Sequence, residues 1–253
     1  YQAINDHCWD GDYYVTGFDD NGKPFGTSKD KEAKIFLNAQ TWAIISGAAQ
    51  GERLEKLKKS IETLKTPFGY LLLKPAFTGW NDTWGRISIK QAGTTENGSV
   101  YCHASMFKAL SDVFLGDGES AVNVILDTLP TNPKNENNLQ LPLFVPNYYF
   151  GLENPNYGRS SCHYGTGTTG WLLWVLVEHI LGIKATAKGL KIEPCIPKKW
   201  SGCRITRKYK NSVYHIEVEN SDQTKEILID GEHYPNDILP FEQNKVYHVK
   251  VII

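Results

Sequence analysis

The sequence predicts a mainly α-helical chain that ends in a small β module. Three observations carry that expectation: apolar residues recur at helical spacing through the first two-thirds, short alternating β-branched runs fill the end, and Gly- or Asn-containing breaks separate them. Residues 38–49 form the first predicted helix. After Gly51, residues 52–65 place Leu54, Leu57, Ile61 and Leu64 on one helical face, so the two read as a hairpin. A second pair, 104–115 and 119–129, is split by the breaker Gly116-Asp117-Gly118. A fifth helix, 170–181, is apolar nearly all round, stops at Gly182 and is therefore expected inside. Between the pairs run two long stretches, 67–102 and 130–169, rich in Gly, Asn and aromatic residues. Loops of that length in compact domains usually carry function, and the aromatic content argues against disorder. From about Leu190 the pattern changes: 204–210, 212–219, 226–230 and 246–252 read as strands, with turns at Asn211, Asn220-Ser221-Asp222 and Gly231. Helical hairpins followed by a β module predict part of an α-helical toroid (1–189) with a small β-sandwich appended (190–253). Hairpins alone do not separate a toroid from a solenoid, although no internal repeat favours the solenoid.

Composition narrows the function. The 253 residues carry 27 Lys+Arg against 28 Asp+Glu, a net charge of −1, so nothing supplies the positive excess that nucleic acid attracts. A hydrophobic share of 41% with 22 Gly and 12 Pro excludes disordered and collagen-like chains. The longest apolar run, 171–177, is far short of the roughly 20 residues of a membrane helix. The opening Tyr1-Gln2-Ala3-Ile4 has no start Met and no apolar leader and reads like mid-helix, which predicts a piece of a longer polypeptide. Five Cys, at 8, 102, 162, 195 and 203, are odd in number, far apart and without a C-x-x-C. Neither a disulfide framework nor a zinc site is indicated, and reduced thiols in a cytoplasmic protein are expected.

Three segments offer chemistry. Gly165-Thr166-Gly167-Thr168-Thr169-Gly170 runs into the apolar helix; glycines admit close approach, hydroxyls donate, and free N–H groups at a helix start attract an anion such as phosphate, though ordinary capping accounts for the same letters. Glu96-Asn97-Gly98-Ser99-Val100-Tyr101-Cys102-His103 ends where a helix begins: His103 can donate to an anion and Glu96 can accept from sugar hydroxyls, or both are simply loop residues. Arg86-Ile87-Ser88-Ile89-Lys90, if extended, puts Arg86, Ser88 and Lys90 on one face, where two cations would grip a carboxylate or merely be solvated. Trp80 and Trp84 are of the type that stacks on sugar rings, or fills a core. Adjacent Cys162-His163 are a poor thiol–imidazole dyad, because such partners meet through the fold, and the seven scattered His form no metal-ligand spacing.

Taken together, the chain resembles the carboxy-terminal part of the inverting disaccharide phosphorylases of glycoside hydrolase family 94. The resemblance runs from Trp9-Asp10-Gly11-Asp12-Tyr13-Tyr14, Phe18-Asp19-Asp20 and Gly26 through Ile35-Phe36-Leu37-Asn38-Ala39-Gln40-Thr41-Trp42, Glu96-Asn97-Gly98, His103 and Thr166-Gly167-Thr168. It continues in His179-Ile180-Leu181-Gly182-Ile183-Lys184, in the segment from Gly189 to Pro197 and in Tyr214-His215-Ile216-Glu217-Val218-Glu219-Asn220. The resemblance implies the second half of an (α/α)6 barrel followed by a small β domain. It also implies reversible phosphorolysis of a β-glucosyl disaccharide, with inversion, to α-D-glucose 1-phosphate. Inorganic phosphate is then a co-substrate that replaces the base-activated water of an inverting hydrolase, and no cofactor or metal is called for.

Matched residue by residue, the resemblance makes His103, Thr166 and Gly167 phosphate-binding and Glu96 the holder of the donor glucose. Asn147 falls where cellobiose phosphorylases have a sugar-contacting Gln. The family's general-acid Asp lies in an Asp-Trp-Asn-Asp stretch upstream of Tyr1, so no catalytic acid is assigned here; Trp80-Asn81-Asp82 repeats the letters in a different place. The chain alone is thus expected to be inactive and to need the amino-terminal half. Cellobiose phosphorylases carry an acidic residue at the position of Arg86, whereas members that cleave glucosyl-gluconate resemble this chain in a basic pair, Arg86 and Lys90. A carboxylate acceptor explains two cations, which makes cellobionic acid the expected substrate. The alternatives are cellobiose, laminaribiose or chitobiose phosphorolysis, a hydrolase of similar fold, or a non-catalytic carbohydrate-binding fragment. Family members are often homodimers, which these residues do not themselves indicate.

Overall fold

The computed structural model describes residues 1–141, 144–161, 166–221 and 224–253, Thr166 by its backbone alone. They form two compact units, residues 1–115 with 123–172, and residues 116–122 with 173–253.

In the first unit a short helix α1 (Gln2–His7) precedes α2 (Leu37–Ile45) and α3 (Gly51–Glu62). The expected hairpin forms, with Leu37, Ala43 and Ile44 of α2 and Leu57 and Ile61 of α3 buried. Both helices stop before the periodicity does. Gly47 N–H returns to Ile44 O (2.9 Å) after α2; after α3, both the N–H and the hydroxyl of Thr63 bond Ser60 O, and the chain enters the strand Lys65–Thr66. Leu64 is still fully buried, beyond the helix end. Helix α4 (Cys102–Phe114) packs on α2 and buries an internal ion pair, Lys108 Nζ to Asp112 at 2.5 and 2.7 Å, with the ammonium 5.0 Å from the Tyr70 ring centroid. Helix α5 spans Gly118–Thr128.

The long stretches are not formless. Short antiparallel pairs, Ile35–Phe36 with Leu73–Lys74 and Val100–Tyr101 with Tyr148–Tyr149, knit residues 70–101 to the start of the unit and to the second stretch.

The fifth helix differs from its sequence expectation in two ways. It begins at Thr166, so the Thr-Gly-Thr-Thr-Gly segment forms the first turns of α6 (Thr166–Trp174) and not a loop before it; packing of Gly167 outweighs the weak helix propensity of Thr and Gly. After Trp174 the helix widens into a π-helical turn, Val175–Ile180, with Leu181 N–H bonded to Leu176 O. Nor is it wholly inside: Val175 and Ile180 are buried, but Leu173 is 61% exposed, because no described residue covers its outer face.

The second unit is largely β. A mixed five-stranded sheet runs in the order Gly202–Tyr209, Ser212–Glu219, Val246–Ile252, Glu226–Ile229, Glu232–His233, and the pair Ser212–Glu219 with Val246–Ile252 is parallel. Alternation sets its faces: Tyr214, Ile216, Val218, Tyr247, Val249 and Val251 are buried, while His215, Glu217, Glu219 and His248 are exposed. A three-stranded antiparallel sheet joins Ile238–Leu239, Gly189–Ile192 and Ile183–Thr186. Lys225 Nζ and Tyr214 Oη donate to Ile192 O (3.1 Å) and Pro240 O (2.7 Å), tying the unit together.

Candidate active site

Strand pairing builds the site. Val100–Tyr101 lies against Tyr148–Tyr149, and Cys102 N–H donates to Asn147 O (3.0 Å), so the Asn147 backbone sits beside the first turn of α4. His103 is the second residue of that helix and Gly167 the second of α6. A Cβ on Gly167 would lie 3.0 Å from His103 Nδ1 and 3.1 Å from Cε1, so the two helix N-termini converge and a side chain there would press the imidazole back by a few tenths of an ångström. An aromatic cluster fixes that approach: His103 packs on Phe107 (4.7 Å between centroids) and Trp171 (5.9 Å), and Trp42 of α2 closes on both.

Two polar atoms here are buried with no hydrogen-bond partner among the described residues, His103 Nε2 and Thr168 Oγ1. Buried polar groups are normally satisfied, and an unpaired imidazole nitrogen at a helix N-terminus is a group that can bond an anion. Burial lowers the pKa of His103, favouring the neutral ring.

A second candidate region is the loop 90–98. Lys90 Nζ makes a short ion pair with Glu96 Oε2, both side chains being about one-third exposed. Burial pushes the Glu96 pKa up, but the hydrogen bond and charge of Lys90, with help from the Glu96 backbone N–H, win and leave it below the usual carboxylate range. Gly98, at φ +77°, has Ala76 behind it: a Cβ would come within 2.7 Å of Ala76 Cβ. Glu96-Asn97-Gly98 is therefore a local structural solution as well as a motif.

The expected strand 86–90 does not form. Gly85–Ile87 is a 3-10 turn, and Ser88 is buried, its hydroxyl accepting from Asn81 N–H (2.8 Å) and donating to Gly85 O (2.7 Å). These bonds coil the segment, so Arg86, Ser88 and Lys90 do not share a face. Arg86 is exposed and has no ion pair among the described residues, whereas Lys90 is committed to Glu96. Trp84 is core, packed on Phe25, Phe36 and Phe77. Trp80 is 61% exposed and donates to Asp82 (2.6 Å). Sequence reasoning met Asn97, Ser88 and Thr168 only as members of motifs and missed what each does: Asn97 bonds the backbone of Phe77 and Lys90, Ser88 closes its own turn, and Thr168 is fully buried. Cys162, His163, Gly165 and the Asp222 turn lie outside the described residues. Among the described residues, no group of three or more His, Cys, Asp and Glu stands placed for a metal.

The catalytic-domain family of the glycosyl hydrolase 94 superfamily matches residues 1–182. The chain belongs to that family. It is similar to 3-O-β-D-glucopyranosyl-β-D-glucuronide phosphorylase of Paenibacillus borealis, 56% identical over 98% of this chain and 33% of that protein. It is also similar to solabiose phosphorylase of the same organism, 33% identical over 98% of the chain and 33% of the relative. Cellobionic acid phosphorylase of Neurospora crassa is 33% identical over 90% of the chain and 30% of the relative. The chain thus spans about a third of the length of these family-94 relatives.

Proposed function

We propose that this chain supplies the phosphate and donor-sugar half of an inverting phosphorylase that cleaves a β-glucoside of a sugar acid. The convergence of the α4 and α6 N-termini on His103 and Gly167, with unpartnered His103 Nε2 and Thr168 Oγ1, carries the reading. Phosphate held there attacks the anomeric carbon from the face opposite the leaving sugar: the new C–O bond to phosphate forms as the glycosidic C–O bond breaks. The leaving oxygen takes a proton from a carboxylic acid, which the family resemblance puts upstream of Tyr1. His103 and the helix N–H groups, with Thr166 in the same first turn of α6, hold the phosphate. Glu96, kept ionised by Lys90, accepts from glucose hydroxyls, and Asn147, whose backbone carbonyl bonds Cys102 N–H at the start of α4, is assigned a sugar contact by the family resemblance.

Arg86 is the cation left for an acceptor carboxylate, while Lys90 can add its charge from the Glu96 pair. The 56% identical relative is named for a glucosyl-glucuronide, so glucuronate is the first candidate acceptor and gluconate, the sequence expectation, the second. The wider architecture goes with the same reading: 1–189 is the second half of an (α/α)6 barrel, 190–253 a β-sandwich domain, and the exposed face of α6 is covered by the rest of the barrel. A cytoplasmic homodimer fits the family.

Release of phosphate from α-glucose 1-phosphate by a polypeptide of the relatives' full length tests this, with glucuronate, gluconate, glucose and N-acetylglucosamine as acceptors. Release with a sugar acid, lost in Arg86→Ala, is expected. A Gly167→Ala change should raise the KM for phosphate about tenfold, since its methyl meets the His103 ring. Preference for a neutral sugar removes the carboxylate acceptor, and no release with any of the four points to a carbohydrate-binding fragment.

A further inference from the structure

We propose that Asn97 is a positioning residue that registers Lys90 against Glu96, so that the donor sugar meets a preset Lys90–Glu96 pair. The inference rests on the phosphorylase reading above. Asn97 touches no substrate; its side chain is fully buried, and all of its hydrogen-bonding groups are engaged with backbone. Nδ2 donates to Lys90 O (2.7 Å) and Phe77 O (3.0 Å), and Oδ1 accepts from Phe77 N–H (2.7 Å). Its own backbone closes the same loop, with N–H to Thr94 O and the carbonyl accepting from Gly93 N–H, both at 2.8 Å.

The consequence is geometric. Lys90 and Asn97 are the two ends of an eight-residue loop, and the bond from Nδ2 to Lys90 O draws its neck shut. Glu96, next to Asn97, is thereby held where the Lys90 ammonium reaches it. A lysine stem is flexible and its charge pairs without strong directional preference, so fixing both backbones confines the pair to one arrangement. Only an amide does this here. Asp keeps the oxygen but loses both N–H donors, Ser is too short, and an apolar residue leaves buried carbonyls unpaired.

A double-mutant cycle on the full-length polypeptide tests it, reading KM and kcat for α-glucose 1-phosphate at saturating acceptor. Asn97→Ala and Lys90→Met are each expected to raise the donor KM about tenfold with a smaller change in kcat. The double variant should be no worse than the worse single one, because both remove the same arrangement. Multiplying effects in the double variant, or a fall in kcat with donor KM unchanged, as a merely folded-state defect gives, would overturn the inference. Should Asn97→Ala not fold, Asn97→Ser reads the same cycle, since its hydroxyl is too short to reach Lys90 O and it buries no charge. A Lys90→Met enzyme with unaltered donor KM overturns the inference whatever the Asn97 variants do. Absence of phosphate release in the unsubstituted enzyme instead fells the phosphorylase reading, and this inference with it.

Discussion

The loop 90–98 and the sheet of the second unit satisfy their backbones in opposite ways. In the sheet, Ser212–Glu219 is paired along its whole length on one side and from Val213 on the other, and two rows of buried side chains, Tyr214-Ile216-Val218 and Tyr247-Val249-Val251, repeat the same register. In the loop no such ladder runs. Lys90 O and Phe77 O depend on Asn97, Gly85 O on Ser88, and Thr95 O on the hydroxyl of Ser99. The sheet is redundant, so loss of one side chain leaves its neighbours in place. The loop has single points of failure, and that is what allows it to hold the Lys90–Glu96 ion pair in an irregular arrangement.

Substitutions can break that contrast. The largest effect is expected from Gly98→Ala, which combines a left-handed backbone with a 2.7 Å clash against Ala76 Cβ; about 2 kcal/mol or more of stability should go, read from the urea midpoint, with donor binding lost. Next, Lys90→Met sharpens the electrostatic half. Glu96 has a lowered pKa, so what its ionised form contributes is present above the ordinary carboxylate range and fades as pH falls through the lowered value. Without Lys90 the desolvation that remains pushes the carboxyl up, and the acid limb of the donor kcat/KM profile should move to higher pH. An acid limb that stays in place would separate Lys90 from Glu96. The smallest effect belongs to the sheet: Glu217→Ala, removing the exposed 3.1 Å pair with Arg204, should change stability by less than about 0.5 kcal/mol in the same denaturation measurement.

The same contrast decides what could be read from the letters. Strands 212–219 and 246–252 were legible because one face is buried and period two writes that burial into the chain. Helix α3 was legible through Leu57 and Ile61, though Leu64 carried the periodicity past the true end. The same period-two rule failed at 86–90, where the Ser88 hydroxyl coils the backbone and the alternation of Arg, Ser and Lys is incidental. His103, Gly167 and Glu96 were singled out by family resemblance; spacing alone left each as an ordinary loop or cap residue. Asn97 stayed hidden between two more conspicuous letters, since its work is hydrogen bonding to backbone seven and twenty residues away.

The parallel pair in the second unit sets an order of events for the growing chain. Val246–Ile252 is the middle strand of five, with Ser212–Glu219 on one side and Glu226–Ile229 on the other. Both flanking strands leave the ribosome first and have no bond to each other across the gap. Until residue 252 has been made, the sheet is two separate ribbons, each showing an unpaired inner edge, and its cooperative closure waits on contacts distant in sequence. A nascent chain halted before residue 246 would therefore offer those edges to chaperones or to one another, whereas the helical first unit has its partners already in hand.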